Sequence, residues 1–351
     1  MKRWKHEPLR GLITELFETC GCETQEARCV TDHLVDSNLA GHDSHGVLRA
    51  PYYVDYVRRD QVRPNQSMEV VFRTDSFAIV DGQFGFGQII GEQAMALGIE
   101  MAGRSGLAAI AIRNSGHLGR IGDWALQTTA AGMASFHFVN TSGFGLLVAP
   151  FGGVDRRLSA NPLAAGVPVA GQRPVILDIS TSAIAEGKLK VARNAGESIP
   201  PGCVIDHEGQ PTTSPADFYA DPPGALLPFG GHKGYGLSIV AEFFAGALTG
   251  NGCTDPDNAE RLLNGMFTIV VDPRRLPKEL GFDEEVRRFI DYVKSSRRTP
   301  GVDEILLPGE IEDRTREDRL KNGIPLDDST WSTIVEACQE AGVRHEWVRE
   351  G

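Results

Sequence analysis

The sequence lacks the positive charge and the long apolar runs that two classes of protein require. Its 351 residues carry a formal net charge of −12, so a broad nucleic-acid-binding surface is not expected. No stretch of about eighteen apolar residues occurs, so a membrane-spanning helix is not expected either. The basic opening, Met1 to His6, is too short and too polar for a secretory signal. These features predict a cytoplasmic protein without nucleic-acid or membrane partners.

Cysteine and histidine spacings typical of metal or redox sites are also lacking. The six cysteines form no Cys-x2-Cys pair, and Cys20-Gly-Cys22 is too close for the common zinc or thioredoxin patterns. The nine histidines show no His-x3-His or His-Glu-x2-His spacing. We therefore expect no metal site, and we expect reduced, mostly structural thiols of the kind found in cytosolic proteins.

Two familiar loops, one that binds dinucleotides and one that carries a catalytic serine, are absent. Gly85-Phe-Gly87-Gln-Ile-Ile-Gly91 is similar to a dinucleotide fingerprint, but its spacing has one residue too many. Asp81-Gly-Gln83 interrupts the strand before it, and the strand after the next helix ends at Arg113-Asn114 instead of at an acid. No Gly-x-Ser-x-Gly elbow occurs, and adjacent Ser44 and His45 do not easily form a nucleophile–base pair. A standard Rossmann loop and a serine hydrolase elbow are therefore not expected.

Apolar periodicity predicts helices that alternate with short apolar strands. The expected helices are two within 7–40, then 47–63, 89–104, 122–131, 234–250, 282–297 and 328–340. The expected strands are 77–80, 107–112, 134–139, 175–178 and 266–271. Strands and glycine-rich turns are expected over 143–196, and an irregular loop over 200–224. This alternation predicts a mixed α/β fold.

The segment Asp43-Ser-His-Gly-Val-Leu-Arg49 places a histidine and an arginine four residues apart. One helical turn would bring His45 and Arg49 to a common face. An imidazole can pass a proton to a carbonyl near neutral pH, and a guanidinium can hold a carboxylate through two hydrogen bonds. The pair suits a 2-oxo acid, although the segment alone also fits a capping histidine and a surface arginine.

Two further polar segments follow apolar strands. Asn114-Ser-Gly-His117-Leu-Gly-Arg120 comes after one strand, where α/β proteins often bind ligands. His117 is a candidate second acid/base, substrate contact or cofactor contact, or a loop histidine bonded to backbone. Asp178-Ile-Ser-Thr-Ser182 ends another strand. Its carboxylate can orient a histidine and its hydroxyls can contact phosphate or ribose, or Asp178 can be a helix cap.

A glycine loop opens a helix at Pro228-Phe-Gly-Gly-His232-Lys233. Helix N-termini and backbone amides favour anions, and Lys233 adds a positive charge. A plain loop-to-helix junction with a solvated lysine is the alternative. Leu307-Pro-Gly-Glu310, taken alone, is expected to be only a turn.

Together these segments resemble the type-2 malate/L-lactate dehydrogenase family, in order from about residue 9 to 340. The remaining matching segments are Ala149-Pro-Phe-Gly-Gly153, Asn161-Pro162, Gly187-Lys188, Lys233-Gly-Tyr-Gly-Leu237 and Leu248-Thr-Gly250. The chain departs from the family at Ser159-Ala-Asn-Pro162, where members usually read Gly-Thr-Asn-Pro, so a threonine hydroxyl is missing. His42 occupies a variable position that could alter substrate choice.

The resemblance implies a homodimer with a non-Rossmann NAD(P)-binding fold, acting on a small carboxylate. Family substrates include malate, sulfolactate, ureidoglycolate, diketogulonate and piperideine carboxylate. By resemblance, His45 is the proton donor, Ser44 and Asp178 support it, and Arg49 contacts the substrate carboxylate. The residues implied at the cofactor–substrate junction are His117, Leu118, Gly119 and Arg120. Those implied along the dinucleotide are Asp178, Ile179, Ser180, Ser182, His232, Lys233, Gly309 and Glu310.

Three parts are expected along the chain. Residues 1–75 form an N-terminal helical part with the catalytic His and Arg, and 76–270 form the central sheet and cofactor-binding domain. Residues 271–351 form a C-terminal helical part that packs on the first. NAD versus NADP, the acid used, the direction, and His45 versus His117 as donor stay open. A catalytically silent dinucleotide-binding relative and a hydrolase using Ser44 remain as alternatives.

Overall fold

The computed structural model describes residues 2–143, 145–255, 257 and 261–349. The α-helices of these residues differ in how many apolar side chains they bury. They are α1 (His6–Thr19), α2 (Thr24–Leu39), α3 (Ala50–Arg58), α4 (Gly87–Ser105), α5 (Gly122–Ala130), α6 (Glu186–Ala195), α7 (Pro215–Phe218), α8 (His232–Ala241), α9 (Phe282–Lys294), α10 (Glu310–Asn322), α11 (Asp328–Ala341) and α12 (Glu346–Arg349).

The strands are short, apart from three that have nine residues each. They are β1 (Lys2–Trp4), β2 (Glu69–Arg73), β3 (Phe77–Asp81), β4 (Leu107–Ser115), β5 (Ala134–Ser142), β6 (Leu163–Val167), β7 (Val175–Ile179), β8 (Val204–Ile205), β9 (Pro211–Thr212), β10 (Ala225–Leu226), β11 (Leu263–Val271) and β12 (Ile324–Leu326). None of the helices in the described ranges is long and apolar enough to cross a membrane.

Seven strands form the central sheet in the order β2-β3-β4-β11-β5-β6-β7. Only β3 and β4 run parallel; the other neighbouring pairs in this sheet are antiparallel. A doubly wound Rossmann domain needs a mostly parallel sheet with a crevice at the strand-order switch. The predicted mixed α/β, non-Rossmann fold is therefore confirmed.

Separate apolar clusters support the sheet and the terminal helices. Trp124 of α5 and Met95 of α4 pack with Ile110 and Ile112 of β4 in one cluster. A second cluster combines α1, α2 and α3 with β12 and α11, and β1 pairs antiparallel with β12. The N- and C-terminal helical parts thus pack together as predicted, although the exact boundaries at 75 and 270 stay predictions.

Two expectations for local structure are wrong, and one helix was not expected at all. The segment 143–196 contains helix α6, which buries only Leu189 and so lacks an apolar stripe. The expected loop over 200–224 contains β8, β9 and α7, and a small three-stranded sheet forms from β8, β9 and β10. The Pro308-Gly-Glu310 turn leads into α10, which buries none of its residues and is therefore invisible to apolar periodicity.

The helix expected over 234–250 begins earlier and changes its winding. It begins at His232, and the segment Glu242–Ala247 is π-helical. The Glu242 carboxylate is buried there and accepts hydrogen bonds from Asn140 (3.0 Å), Asn161 (2.8 Å) and Thr254 (2.7 Å from Oγ1). These bonds tie the wide turn to the sheet, which accounts for a polar residue inside an apolar helix.

Candidate active site

The Ser44-His45 turn follows α2 and is held by a polar clamp. Asn38 donates to Asp43 Oδ1 at 2.6 Å, and the Val47 amide donates to Asn38 Oδ1 at 2.8 Å. A Cβ at Gly46 would lie 2.2 Å from Asn38 Oδ1, so only glycine fits beside this clamp. The turn is consequently rigid, which suits a histidine that must hold a fixed position.

The expected single helical turn through His45 and Arg49 is not observed. Asp43–His45 and Val47–Arg49 are two 3₁₀ turns separated by Gly46 in an extended conformation. Arg49 nevertheless folds back on the first turn, because its Nε donates to the Ser44 carbonyl at 2.7 Å. The two residues are neighbours as predicted, but through this hydrogen bond and not through helical periodicity.

His45 and His117 lie face to face. Their ring centroids are 5.6 Å apart with an interplanar angle of 12°. Ser44 Oγ lies 3.0 Å from His45 Nδ1, so the adjacent serine and histidine do pair, contrary to the expectation from sequence. The structure thus brings together the two histidines that the sequence could only name separately.

Tyr53 and Gln88, which the sequence analysis missed, hold the second histidine. The Tyr53 hydroxyl lies 2.7 Å from His117 Nδ1, and Gln88 Nε2 donates to that hydroxyl at 3.2 Å. Burial raises the pKa of Tyr53 to about 12, so its hydroxyl is a donor at neutral pH. Donation to Nδ1 leaves the ring proton of neutral His117 on Nε2. The spacing Arg49-x3-Tyr53 was the signal available in the sequence.

Both histidines favour the neutral state in the protein without ligands. Burial, with a smaller contribution from Arg49, lowers the pKa of His117 to about 3. Burial lowers the pKa of His45 well below its usual value, and His117 and Arg49 lower it further. A neutral imidazole beside a guanidinium can accept a proton from a hydroxyl group whose molecule also carries a carboxylate.

Arg120 and Asp178 meet at the N-terminus of α5. Asp178 Oδ2 accepts from the Gly122 amide at 2.9 Å and lies 3.9 Å from Arg120 Nε. Burial raises the pKa of Asp178, while His42 and Arg120 oppose the rise. Within the described ranges no hydrogen bond joins Asp178 to His45, so the predicted support of His45 by Asp178 stays a prediction.

Arg120 has spare hydrogen-bonding capacity. Its side chain is only 4% exposed, with Nε 3.1 Å from Asp123 Oδ1. Its Nη1 is buried without a hydrogen-bond partner among the described residues. An unpaired buried guanidinium donor is costly unless a ligand supplies an acceptor. Leu118 and Gly119 complete this loop; the Leu118 amide donates to Asn264 Oδ1 at 2.8 Å, and Gly119 has φ +70°.

The segment after β7 lies beside the glycine loop. The Phe229 amide donates to the Thr181 carbonyl at 3.0 Å, and Ser182 forms a bridge with Pro228. Ile179 ends β7 opposite Leu163, and Ser180 Oγ lies 2.7 Å from Ser182 Oγ. The predicted hydroxyl residues and the α8 N-terminus therefore share one surface.

His232 and Lys233 begin α8 and are exposed. Gly230 and Gly231 before them have φ of 56° and 63°, a left-handed turn that glycine adopts at least cost. The Lys233 amide donates to the Gly230 carbonyl at 3.4 Å, but its side-chain ammonium makes no hydrogen bond or ion pair with any residue that the structure describes. A free ammonium at the N-terminus of a helix fits an anionic group such as a phosphate.

Gly309 and Glu310 approach β7 from the C-terminal part. The Ile176 amide donates to the Pro308 carbonyl at 3.0 Å, and Gly309 has φ +99°. Glu310 accepts from Lys294 at 2.6 Å and from the Leu307 amide at 2.7 Å. Glu310 is thus already paired within the protein, which leaves Gly309 as the more open member of this pair.

Comparison with known proteins shows to which family the chain belongs. Residues 4–335 match the family model described as malate/L-lactate dehydrogenase. The chain belongs to this family. It is 42% identical to hydroxycarboxylate dehydrogenase B of Escherichia coli (strain K12), over 98% of this chain and 96% of that protein. It is therefore an enzyme of the hydroxy-acid dehydrogenase class, and that class uses a nicotinamide dinucleotide.

Solved structures agree with the family assignment. Sulfolactate dehydrogenase from Methanocaldococcus jannaschii is 31% identical, with a TM-score of 0.88 over 98% of this chain and 99% of that chain. The δ1-piperideine-2-carboxylate reductase from Pseudomonas syringae is 28% identical, with a TM-score of 0.81 over 96% of this chain and 100% of that chain. The resemblance noted in the sequence is thereby confirmed at the level of family and fold.

Proposed function

We propose that this family member interconverts a small 2-hydroxy carboxylate and its 2-oxo partner, or the corresponding amino and imino acids. The stacked His45 and His117 rings beside Arg49 carry this proposal. They offer neutral imidazoles and a guanidinium to one small molecule, which is what a 2-hydroxy acid requires. The similarity to a hydroxycarboxylate dehydrogenase and to a cyclic imino-acid reductase supports both substrate classes.

We propose that Arg49 binds the substrate carboxylate and His45 handles the proton. In oxidation, neutral His45 accepts the hydroxyl proton; in reduction, protonated His45 returns it to the 2-oxo oxygen. A carboxylate paired with Arg49 offsets the positive charge that lowers the pKa of His45. Carboxylate binding thus makes His45 easier to protonate, which supports reduction as well as oxidation.

The cofactor proposed is NAD or NADP. When bound, it exchanges a hydride with the 2-carbon of the substrate. The residues present fit such a group: Ser180 and Ser182 offer hydroxyls, Lys233 a free ammonium, and Arg120 a buried donor without a partner. Gly309 allows close backbone approach from the other side of β7. These residues would hold the dinucleotide, while His117, with its Nε2 proton, would lie where cofactor and substrate meet.

The hydrolase alternative has one observation in its favour, the 3.0 Å contact between Ser44 Oγ and His45 Nδ1. A nucleophilic serine needs its histidine to be oriented by a third group, usually a carboxylate. Within the described residues no carboxylate hydrogen-bonds to His45. Ser44 is better explained as the partner that orients the His45 ring, and membership of a dehydrogenase family supports the oxidoreductase over a hydrolase.

A substrate panel with both reduced cofactors tests the proposal. The absorbance of NADH or NADPH is followed with a series of 2-oxo acids and cyclic imino acids, each beside its amide. We expect turnover of at least one acid and little or none of its amide. Binding of cofactor without turnover of any acid in the panel would contradict the proposed function.

A homodimer in the cytoplasm is also proposed. Five exposed apolar side chains lie along α8, the π-helical segment that follows it and the residue that caps that segment, namely Leu237, Val240, Phe243, Phe244 and Leu248. A row of this kind is unusual on a monomer and supports a second copy of the chain as its partner. The six cysteines are free thiols, which supports a reducing compartment.

A further inference from the structure

Outside the candidate active site, α2 and α4 bring three metal-binding side chains together. Cys29 and His33 lie one helical turn apart on α2, and Glu92 faces them from α4. One ligand atom from each of the three side chains lies within 4.8 Å of the other two. This is the Cys-x3-His spacing, which the search for paired cysteines or paired histidines does not detect.

Each of the three side chains already makes a hydrogen bond. The Cys29 thiol donates to Glu92 Oε2 at 3.1 Å, so a proton lies between sulfur and carboxylate. His33 Nδ1 lies 3.1 Å from Asp123 Oδ2, and the ring packs on Trp124 with centroids 5.0 Å apart. A histidine held by a carboxylate through one nitrogen is the usual arrangement of a metal ligand, because the bond fixes the ring and its tautomer.

The other ring nitrogen of His33 is available. His33 Nε2 has no hydrogen bond among the described residues, whereas Nδ1 is taken by Asp123. In the neutral ring, donation of the Nδ1 proton to Asp123 places the lone pair on Nε2, where a cation can bind. Thiolate, imidazole and carboxylate are together the ligand set that Zn²⁺ prefers.

We propose that Cys29, His33 and Glu92 form a binding site for Zn²⁺ or a similar divalent transition metal. Three protein ligands leave a fourth tetrahedral position for water, and exposed Glu92 keeps that position open to solvent. On binding, the sulfur–metal bond forms and the thiol proton leaves to solvent, so the metal takes the place of the proton now shared with Glu92.

Bound metal would connect this site to the candidate active site. Asp123 contacts His33 on one side and Arg120 Nε (3.1 Å) on the other. A metal ion bound to His33 would withdraw electron density from the ring and strengthen the hydrogen bond between His33 Nδ1 and Asp123. The negative charge that Asp123 presents to Arg120 would change as a result. The metal also ties α2, which leads into the Ser44-His45 turn, to α4, which packs beneath the His117 loop.

Cobalt(II) is the probe for this site, because thiolate bound to Co²⁺ gives a charge-transfer absorption that carboxylates and imidazoles do not. The full chain, freed of metal by a chelator, is titrated with Co²⁺ and then with Zn²⁺. We expect a thiolate band that saturates at one Co²⁺ per chain and disappears when Zn²⁺ displaces it. Absence of a thiolate band would overturn the proposal.

Matched variants assign the ligands. Cys29→Ser should abolish the thiolate band, whereas Cys253→Ser, which changes a half-buried cysteine beside Glu242, should keep it. Glu92→Gln should weaken Co²⁺ binding about tenfold or more, whereas Glu100→Gln on the same helix should not. A band that survives in Cys29→Ser, or equal affinity in Glu92→Gln and wild type, would contradict the site. Because Glu92 is exposed, its variant gives an answer even where Cys29→Ser fails to fold.

Discussion

At the scale of single residues, His45 has the environment of a base that stays neutral. Burial, His117 and Arg49 all lower its pKa, while Ser44 fixes the ring through Nδ1. We expect His45→Ala to keep its fold and its affinity for NAD(P)H but to lose about 10²–10⁴ in turnover. Steady-state rates and cofactor titration measure the two effects separately. Wild-type turnover in the variant would move the proton-transfer role to His117.

The lowered pKa of His45 also predicts a pH profile. In the free enzyme, kcat/KM for oxidation requires neutral His45, so activity is lost as pH falls through its pKa. Because that pKa lies below the usual 6.5, the rate of oxidation should stay level down to and below this pH. The profile is measured at low substrate concentration. An acid limb with a midpoint at or above the usual histidine value would contradict the electrostatic interpretation.

Arg49 is expected to recognise the substrate carboxylate through its planar fork. Its Nε is taken by the Ser44 carbonyl, so the guanidinium is held in one orientation beside His45. Lysine cannot copy that geometry, so Arg49→Lys should lower kcat/KM roughly a hundredfold or more. The variant should also lose its preference for acids over amides. Unchanged KM, kcat and acid preference would show that Arg49 is only a structural residue of the turn.

At the scale of elements, the close approach of α4 to the His117 loop determines where His117 lies. A Cβ at Gly87 would lie 2.2 Å from the His117 carbonyl oxygen, so Gly87→Ala must displace the loop. We expect a loss of about 1–3 kcal/mol in the free energy of unfolding together with a marked fall in kcat.

Gly103→Ala is the matched control, since it lies on the same helix and a Cβ there meets only the Met133 methyl at 3.6 Å. This variant should be neutral or stabilising, because alanine is the better helix former. Chemical denaturation and steady-state kinetics on both variants test the prediction. Equal stability and activity in the two would show that the His117 loop adapts without cost.

Elements with an apolar stripe were predictable from the sequence, whereas those held by polar contacts were not. Helices α1, α2, α4 and α5 bury regular apolar positions and lie close to where they were expected. Helix α10 buries none of its residues; ion pairs fix it, such as Arg319 with Asp43 and Arg316 with Asp36. Such partners are distant in sequence, so no local pattern reveals them.

The same distinction applies to the candidate site. His45, Arg49, His117 and Asp178 could be named because they stand in local motifs beside turns and strand ends. The Tyr53–His117 contact, the ring stacking and the spare donor of Arg120 depend on elements that meet only in the folded chain. The sequence therefore indicated the chemistry of the site, while the folded chain is needed to give each histidine its protonation state.

At the scale of the whole molecule, the two ends of the chain close on each other. Strand β1 pairs with β12, and Trp4 stacks on Trp331 with ring centroids 3.7 Å apart. Through α10, the C-terminal part also contacts Asp43, the first residue of the turn that carries Ser44 and His45. The Ser44-His45 turn thus depends on α10, which lies nearly 280 residues further along the chain.

The exposed apolar row along α8 and the following π-helical segment gives the last prediction, a homodimer that uses this surface. Phe243 is 58% exposed and has no ring contact within the described residues, so Phe243→Asp should leave the fold of one chain intact. A buried aspartate at an interface is costly, so the variant should dissociate. Light scattering should give twice the chain mass of 38.0 kDa for the wild type and the single chain mass for Phe243→Asp. Leu280→Asp, which changes an exposed leucine outside this row, should stay dimeric. A fully active wild-type monomer would contradict the homodimer, and a dimeric Phe243→Asp would contradict the placement of its interface.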